Sequence, residues 1–151
     1  MSKFFGFGRK QILRRVGLMD QVAGVRRYTL FDGNERDVEA IDFRTGTGFD
    51  FTVVPGRGMD ITSAWYRGKA LAWLSQTGVV HPAYFEPEGL GWLRTFYGGL
   101  VATCGMTTAG APCTDQGEAL GLHGRFSTTP ARNVVADTRW EGEDYVLRAS
   151  G

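Results

Sequence analysis

The fold is decided by the stretch DVEAIDFRTGTGFDFTVV, residues 37–54. Polar and apolar residues alternate with a period of two from Asp37 to Arg44 and again from Phe49 to Val54, which is the pattern of half-buried β-strands. Gly46 to Gly48 supply a turn between the two runs. The Ala40–Ile41 step breaks strict alternation and is compatible with a β-bulge. The stretch therefore predicts two consecutive strands joined by a turn.

Further β-like runs lie on both sides of this pair. A turn signal at Asp32–Asn34 precedes it, and a hairpin turn at Arg67–Lys69 follows it. The chain has 22 glycines, about twice the ordinary share. Short strands at close spacing predict an all-β protein, an antiparallel β-sandwich. The additional predicted strands are Val25–Phe31, Thr62–Tyr66, Ala70–Leu74, Gly99–Cys104, Arg132–Trp140 and Tyr145–Ala149.

Three segments depart from the β pattern. Apolar residues at helical spacing within residues 12–16 predict a short N-terminal helix. Residues 88–96, which follow a proline, predict a second short helix. Residues 105–120 are rich in glycine, threonine and other small residues, and they predict a long loop of the kind that often carries function.

Length and composition fit a single folded domain. The chain has 151 residues, 42% of them hydrophobic and 22% charged, with a formal net charge of +1, so nothing points to nucleic acid or a membrane as a partner. No stretch has the length of a transmembrane helix, and the N-terminus lacks the pattern of a signal peptide. Cys104 and Cys113 fit reduced thiols, so we expect a cytoplasmic protein. No dinucleotide-binding, phosphate-loop or zinc-ligand pattern is present, and we expect no cofactor and no metal.

The candidate functional residues centre on GLHGRFSTTPA, residues 121–131. Gly121 and Gly124 leave the backbone open to close approach by a ligand or to positive φ. His123 can exchange a proton near neutral pH, and the Arg125 guanidinium offers a planar fork of donors to hydroxyl or carboxylate oxygens. The alternative interpretation is a buried structural histidine in a glycine turn.

Two other segments supply candidate ligand contacts. Arg57 and Asp60 lie in the glycine-rich segment Gly56–Ile61, from which both could reach a ligand at a strand edge, or instead pair with each other. Trp92 belongs to the most aromatic part of the chain, residues 84–97. Aromatic rings are platforms for the flat C–H faces of sugars, although aromatic clusters more often form core.

Four segments in this order resemble the aldose 1-epimerase family of the galactose mutarotase-like superfamily. They are residues 12–25, Val54–Ile61, Gly98–Gly105 and Leu122–Ala131. The resemblance implies a large antiparallel β-sandwich that holds a sugar on one concave face. It also implies that family members continue for roughly the same length again beyond residue 151. We therefore expect residues 1–151 to be the N-terminal portion of a single carbohydrate-active domain whose C-terminal half is absent.

The resemblance also implies a chemistry, the interconversion of the α and β anomers of a free sugar without a cofactor. A general acid protonates the ring oxygen, a general base takes the proton of the anomeric hydroxyl, and the ring opens and closes again. The resemblance matches His123 to the catalytic, sugar-contacting histidine, and Arg57, Asp60 and Arg125 to polar substrate-binding positions; we add Trp92 as a sugar contact. It places the second histidine and the glutamate base in the absent half.

Other functions stay open on the sequence. Sugar binding without turnover and a truncated, inactive fragment both fit a chain that lacks the catalytic base. A glycoside hydrolase would need two carboxylates about 5–10 Å apart, and the sequence alone does not place such a pair.

The last predicted hairpin, residues 132–149, bears on association. Its apolar side chains need a facing sheet, and we expect no sheet to be left for them. The expected consequences are an exposed apolar face near the C-terminal strands and self-association through an exposed sheet edge. The apolar residues of this hairpin are Val134, Val135, Trp140, Val146 and Leu147.

Overall fold

The computed structural model describes residues 4–151. The chain forms antiparallel sheets with one short α-helix. The predicted all-β class is confirmed. The helix is α1, Arg9–Ile12. The strands are β1 (Gly24–Thr29), β2 (Glu39–Arg44), β3 (Phe49–Val54), β4 (Asp60–Tyr66), β5 (Lys69–Ala70), β6 (Trp73–Leu74), β7 (Gly98–Gly99), β8 (Cys113–Asp115), β9 (Glu118–Leu120), β10 (Val135–Glu141) and β11 (Asp144–Ser150). Short 3₁₀ turns occupy Met19–Gln21, Gly33–Glu35, Pro55–Arg57, Pro82–Tyr84, Gly91–Thr95 and Phe126–Thr128.

A five-stranded meander, in the order β1-β2-β3-β4-β5, forms the main sheet. Neighbours in sequence are neighbours in the sheet, and every pair is antiparallel. The bulge lies between Thr52 and Val53, where β3 meets β4, and not at the Ala40–Ile41 step, which runs in regular register with β1. Ala40 and Ile41 are both buried although they lie on opposite faces of β2, so two successive apolar residues require no bulge here.

The hairpin of β10 and β11 packs on one face of this sheet. Ile41, Phe43 and Val53 form the buried centre, and Phe43 stacks on Phe51 with ring centroids 4.5 Å apart. The two layers make the sandwich that the sequence predicts. The hairpin side chains that pack against this centre are Val134, Ala136, Leu147 and Ala149.

The expectation that the hairpin lacks a facing sheet is therefore wrong. The meander has two faces, and the hairpin covers one of them. Exposed apolar side chains are concentrated near β4 to β7 instead, although Val135 of the hairpin is also exposed. Self-association through a sheet edge stays a prediction. The exposed side chains near β4 to β7 are Trp65, Tyr66, Leu71, Trp73, Leu74, Leu100 and Val101.

The N-terminal segment packs against the β10–β11 hairpin. Phe4, Ile12 and Ala23 form a second buried cluster, against which Trp140 and Tyr145 of the hairpin pack. The segment is also bonded to the β10–β11 turn: the Arg9 guanidinium donates to the Gly142 carbonyl and the Arg9 amide to the Glu143 carboxylate. The four-residue α1 is thus held by packing on the hairpin, since so short a helix is not stable alone.

The connecting segments differ from the sequence predictions in three places. The predicted helix at residues 88–96 is a 3₁₀ turn, Gly91–Thr95. The predicted loop at residues 105–120 contains the β8–β9 hairpin. The predicted buried strand Gly99–Cys104 reduces to β7, since Gly98 and Gly99 have positive φ and Leu100 is 41% exposed.

No helix within residues 4–151 combines the length and the apolar character needed to cross a bilayer.

Candidate functional site

Arg57 is a buried cation that joins three separate segments. It ends the Pro55–Arg57 turn after β3 and is 1% exposed. Its Nε donates to the Ser127 carbonyl at 2.6 Å, and its Nη1 donates to the carbonyls of Val80 and Thr95 at 3.1 Å each. The guanidinium is thus engaged by backbone oxygens of three segments.

Asp60, at the start of β4, is equally buried. Its Oδ2 accepts a hydrogen bond from the Tyr97 hydroxyl at 2.5 Å, and its Oδ1 accepts one from the Thr103 amide at 2.7 Å. The Arg57 guanidinium lies 5.3 Å from the centroid of the Tyr97 ring, so Tyr97 links cation and carboxylate, which form no direct ion pair among the described residues. Asp60, like Arg57, has no open surface for a ligand.

Burial dominates the electrostatics of this group. It raises the pKa of Asp60, while the hydrogen bonds from Tyr97 and Thr103 and the charge of Arg57 oppose the rise. Burial also lowers the pKa of Arg57, against the neighbouring Tyr97 and Asp60, but a guanidinium remains charged in proteins. Burial and Asp60 together raise the pKa of Tyr97, so its hydroxyl stays a hydrogen-bond donor.

His123 is half-buried in a strained turn. Its φ is 54°, in the left-handed region, and it is fixed by three hydrogen bonds. Its amide donates to the Gly110 carbonyl at 3.0 Å, and its carbonyl accepts from the Gly105 amide at 2.8 Å. Its ring Nδ1 accepts from the Gly110 amide at 3.1 Å. With Nδ1 as acceptor, the neutral ring carries its hydrogen on Nε2, which has no partner among residues 4–151.

Trp92 connects the His123 turn to Arg57. Its Nε1 donates to the Ser127 hydroxyl at 2.9 Å, and the carbonyl of the same serine accepts from Arg57. The indole meets the His123 ring edge-on at 4.7 Å and stacks on Phe96 at 4.7 Å. Trp92 is 6% exposed, so its indole packs against His123 and leaves little surface on which a sugar could stack.

Arg125 is the exposed member of the predicted set. Among the described residues its side chain makes no hydrogen bond and no ion pair. It lines two adjoining clefts, of about 360 and 170 Å³, that share Gly121 in their walls. Glu88 lines the larger cleft and Glu118 the smaller one, so carboxylates accompany the guanidinium in both.

The predicted site residues therefore separate into two groups. Arg57, Asp60 and Trp92 are buried and hydrogen-bonded to protein partners, whereas the Nε2 of His123 and the guanidinium of Arg125 have no protein partner among the described residues. The partners Tyr97, Thr103 and Ser127 were not predicted. All three stand in segments already singled out, but nothing in the sequence indicates that they face Asp60 and Trp92.

No group of three or more histidine, cysteine, aspartate or glutamate side chains within residues 4–151 is arranged to hold a metal ion.

Comparisons with known proteins point to one family and one solved fold. Residues 35–151 match the family described as "Domain of unknown function (DUF4432)". The chain is similar to the crystal structure of a "putative aldose 1-epimerase" from Klebsiella pneumoniae subsp. pneumoniae MGH 78578, with a TM-score of 0.75 and 27% identity, over 87% of this chain and 36% of that one. The chain thus spans little more than a third of the length of the Klebsiella protein. No match was found among curated proteins.

Proposed function

We propose that this chain, which belongs to the DUF4432 family, is a carbohydrate-binding protein of the aldose 1-epimerase (mutarotase) type that acts on the anomeric centre of a free sugar. The fold predicted from the family resemblance is confirmed, since the chain is similar in structure to the Klebsiella protein. The observation that carries the proposal is the fixed orientation of His123, whose Nε2 has no hydrogen-bond partner among residues 4–151 and which lies two residues before the exposed Arg125.

His123 suits the ring-opening step. As the bond between the anomeric carbon and the ring oxygen breaks, negative charge develops on that oxygen, and a fixed N–H donor stabilises it. The hydrogen bond from Gly110 to Nδ1 keeps the Nε2 hydrogen in place. The Arg125 guanidinium can hold sugar hydroxyls through its donors. The proton of the anomeric hydroxyl must pass to a base at the same time, and carboxylates are suited to that role.

A second candidate is sugar binding without turnover. By the family resemblance, the glutamate base belongs to the half of the domain beyond residue 151. No carboxylate among residues 4–151 is hydrogen-bonded to His123. On this proposal the chain corresponds to the N-terminal portion of a single carbohydrate-active sandwich. It would bind the sugar and lack a base in position.

Exchange NMR spectroscopy of D-glucose and D-galactose separates the two candidates, because it measures anomer interconversion and binding in one sample. His123→Asn is the informative variant: asparagine tolerates positive φ and retains an acceptor for the Gly110 amide, but it removes the Nε2 donor. We expect it to reduce binding or exchange by about 1–3 kcal/mol. His81→Asn is the matched control, because the His81 Nδ1 also accepts a backbone amide, that of Ala83 at 3.1 Å.

Each outcome assigns a function. Accelerated exchange that the His123 variant loses and the His81 variant keeps supports the epimerase. Binding without acceleration, lost in the same variant, supports the binding module. Absence of both in the unmodified chain, or equal effects of the two variants at unchanged melting temperature, contradicts both candidates.

A further inference from the structure

The face of the five-stranded sheet opposite the β10–β11 hairpin carries a second polar surface. Because side chains alternate along a strand, the strands that bury Ile41 and Phe43 on one face present Asp42 on the other. Asp42 pairs in register with Thr52 of β3, and Thr52 pairs with Ser63 of β4. These positions lie in a groove of about 450 Å³, within the range of small-molecule sites, about 300–1,000 Å³. We call it the outer groove.

The floor of the outer groove is a carboxylate held in place by two hydroxyls. The hydroxyls of Tyr28 and Thr52 both donate to Oδ1 of Asp42, at 3.0 and 2.6 Å. Burial and the bond to Asp42 raise the pKa of Tyr28 to about 12, so its hydroxyl keeps its proton. The second oxygen, Oδ2, has no hydrogen-bond partner among residues 4–151. Asp42 therefore offers the groove one oriented acceptor, as hydroxyl recognition needs.

An aromatic side chain borders the same groove. Trp65 of β4 lines it and is 39% exposed, and it lies opposite Asp50 of β3 in register. The Asp50 carboxylate has no hydrogen bond or ion pair within the described part of the chain. An exposed indole and carboxylate acceptors in one groove suit a ligand with both C–H faces and hydroxyl groups.

The charge of the groove limits the ligand further. Glu35, Asp42 and Asp50 line it, against the single cation Arg44. The Arg44 guanidinium donates to the Asp20 backbone carbonyl at 2.5 Å. One of its donors is therefore engaged by a group other than the three carboxylates of the groove. An excess of negative charge repels phosphate and carboxylate groups and accepts hydroxyl and ammonium groups.

We propose that the outer groove is a saccharide-binding site for a monosaccharide without anionic groups, neutral or amine-bearing. Asp42 accepts its hydroxyl or ammonium hydrogens, and Trp65 packs against its C–H face. The site is built from β1 to β4 and shares no residue with the His123 turn, so it does not depend on the function proposed above.

Titration with D-galactose, D-glucosamine and D-glucose 6-phosphate, followed by ¹H–¹⁵N NMR, tests the proposal. The chain has four tryptophans, so the Trp65 indole resonance is assigned by its loss in Trp65→Phe. Galactose and glucosamine are expected to shift this resonance and glucose 6-phosphate is not. Asp42→Asn keeps the acceptor for Tyr28 and Thr52 but replaces the free oxygen by an NH₂ group, and we expect it to weaken binding about tenfold, the size of one charge-assisted hydrogen bond.

The matched control is His123→Asn, which should change the affinity of the groove less than about twofold while it weakens the function proposed for the other site. If Asp42→Asn fails to fold, Asp50→Asn replaces it, because Asp50 supports no hydrogen bond in the described structure. The proposal is overturned if the Trp65 resonance does not respond to either sugar, if the aspartate variant binds as tightly as the unmodified chain, or if the phosphorylated sugar binds best.

Discussion

Replacement of Arg57 by methionine tests whether this residue supports the site or contacts a ligand. Methionine keeps an unbranched apolar stem but is shorter than arginine and uncharged, so the carbonyls of Val80, Thr95 and Ser127 lose their donor. A hydrogen bond that involves a charged group contributes about 1.5–3 kcal/mol, so three such bonds set an upper range of about 4.5–9 kcal/mol. Removal of the guanidinium also relieves its own burial cost. We therefore expect a loss of about 4 kcal/mol in the free energy of unfolding.

Urea unfolding measures this loss. With a denaturant slope of about 2 kcal/mol/M, the midpoint should fall by about 2 M. Hydrogen exchange should increase at residues 80, 95 and 127 together, because one side chain holds all three segments. Arg26→Met is the control: Arg26 is an exposed arginine of β1 whose side chain has no hydrogen bond or ion pair among residues 4–151, and its replacement should cost less than about 0.5 kcal/mol.

Two results would refute this reasoning. A loss below about 1 kcal/mol, similar to that of the control, would mean that the three hydrogen bonds do not stabilise the chain. Unchanged stability together with lost sugar binding would return Arg57 to the role of a ligand contact, as the family resemblance implies.

Two further predictions follow from the geometry of the sheet and the loops. Gly121→Ala should lower the free energy of unfolding by about 3 kcal/mol, because its Cβ would lie 2.0 Å from the Pro87 carbonyl oxygen. Gly117→Ala should lower it by about 1 kcal/mol, because its Cβ meets nothing within 4 Å but its φ is +85°. Equal unfolding free energies for the two variants would contradict this prediction. The folded pKa of Tyr28, about 12, lies above the unfolded value of about 10, so its contribution to stability is fully present below about pH 10 and is lost as the pH rises to about 12. Tyr28→Phe should flatten that decline in alkaline unfolding curves, and a decline of the same size in the variant would show that Tyr28 is not its source.

Strands with a clear period of two were predictable from the sequence. The alternation in Phe49–Val54 defines β3, and the turn signal at Arg67–Lys69 defines the connection of β4 to β5. The pattern does not show what covers each face. For this reason the facing sheet of the β10–β11 hairpin was missed, and the bulge was placed at the Ala40–Ile41 step instead of Thr52–Val53.

The residues of the candidate site were easier to name than their roles. Arg57, Asp60 and His123 stood out by residue type and by family resemblance. Their roles depend on partners distant in sequence, such as the Tyr97 hydroxyl for Asp60 and the Gly110 amide for His123. A side chain that is engaged by such partners and one that is free for a ligand look the same in the sequence.

The hydrogen bonds of Arg57 also impose an order on folding. Its three carbonyl partners lie 23, 38 and 70 residues further along the chain, so its full set of hydrogen bonds can form only after residue 127 has left the ribosome. The meander needs only contacts between consecutive strands, which close short loops and form early. Nascent chains arrested between the end of β5 and residue 127 should therefore contain ordered strands before the hydrogen bond between Arg57 and the Ser127 carbonyl can join them to the last segment.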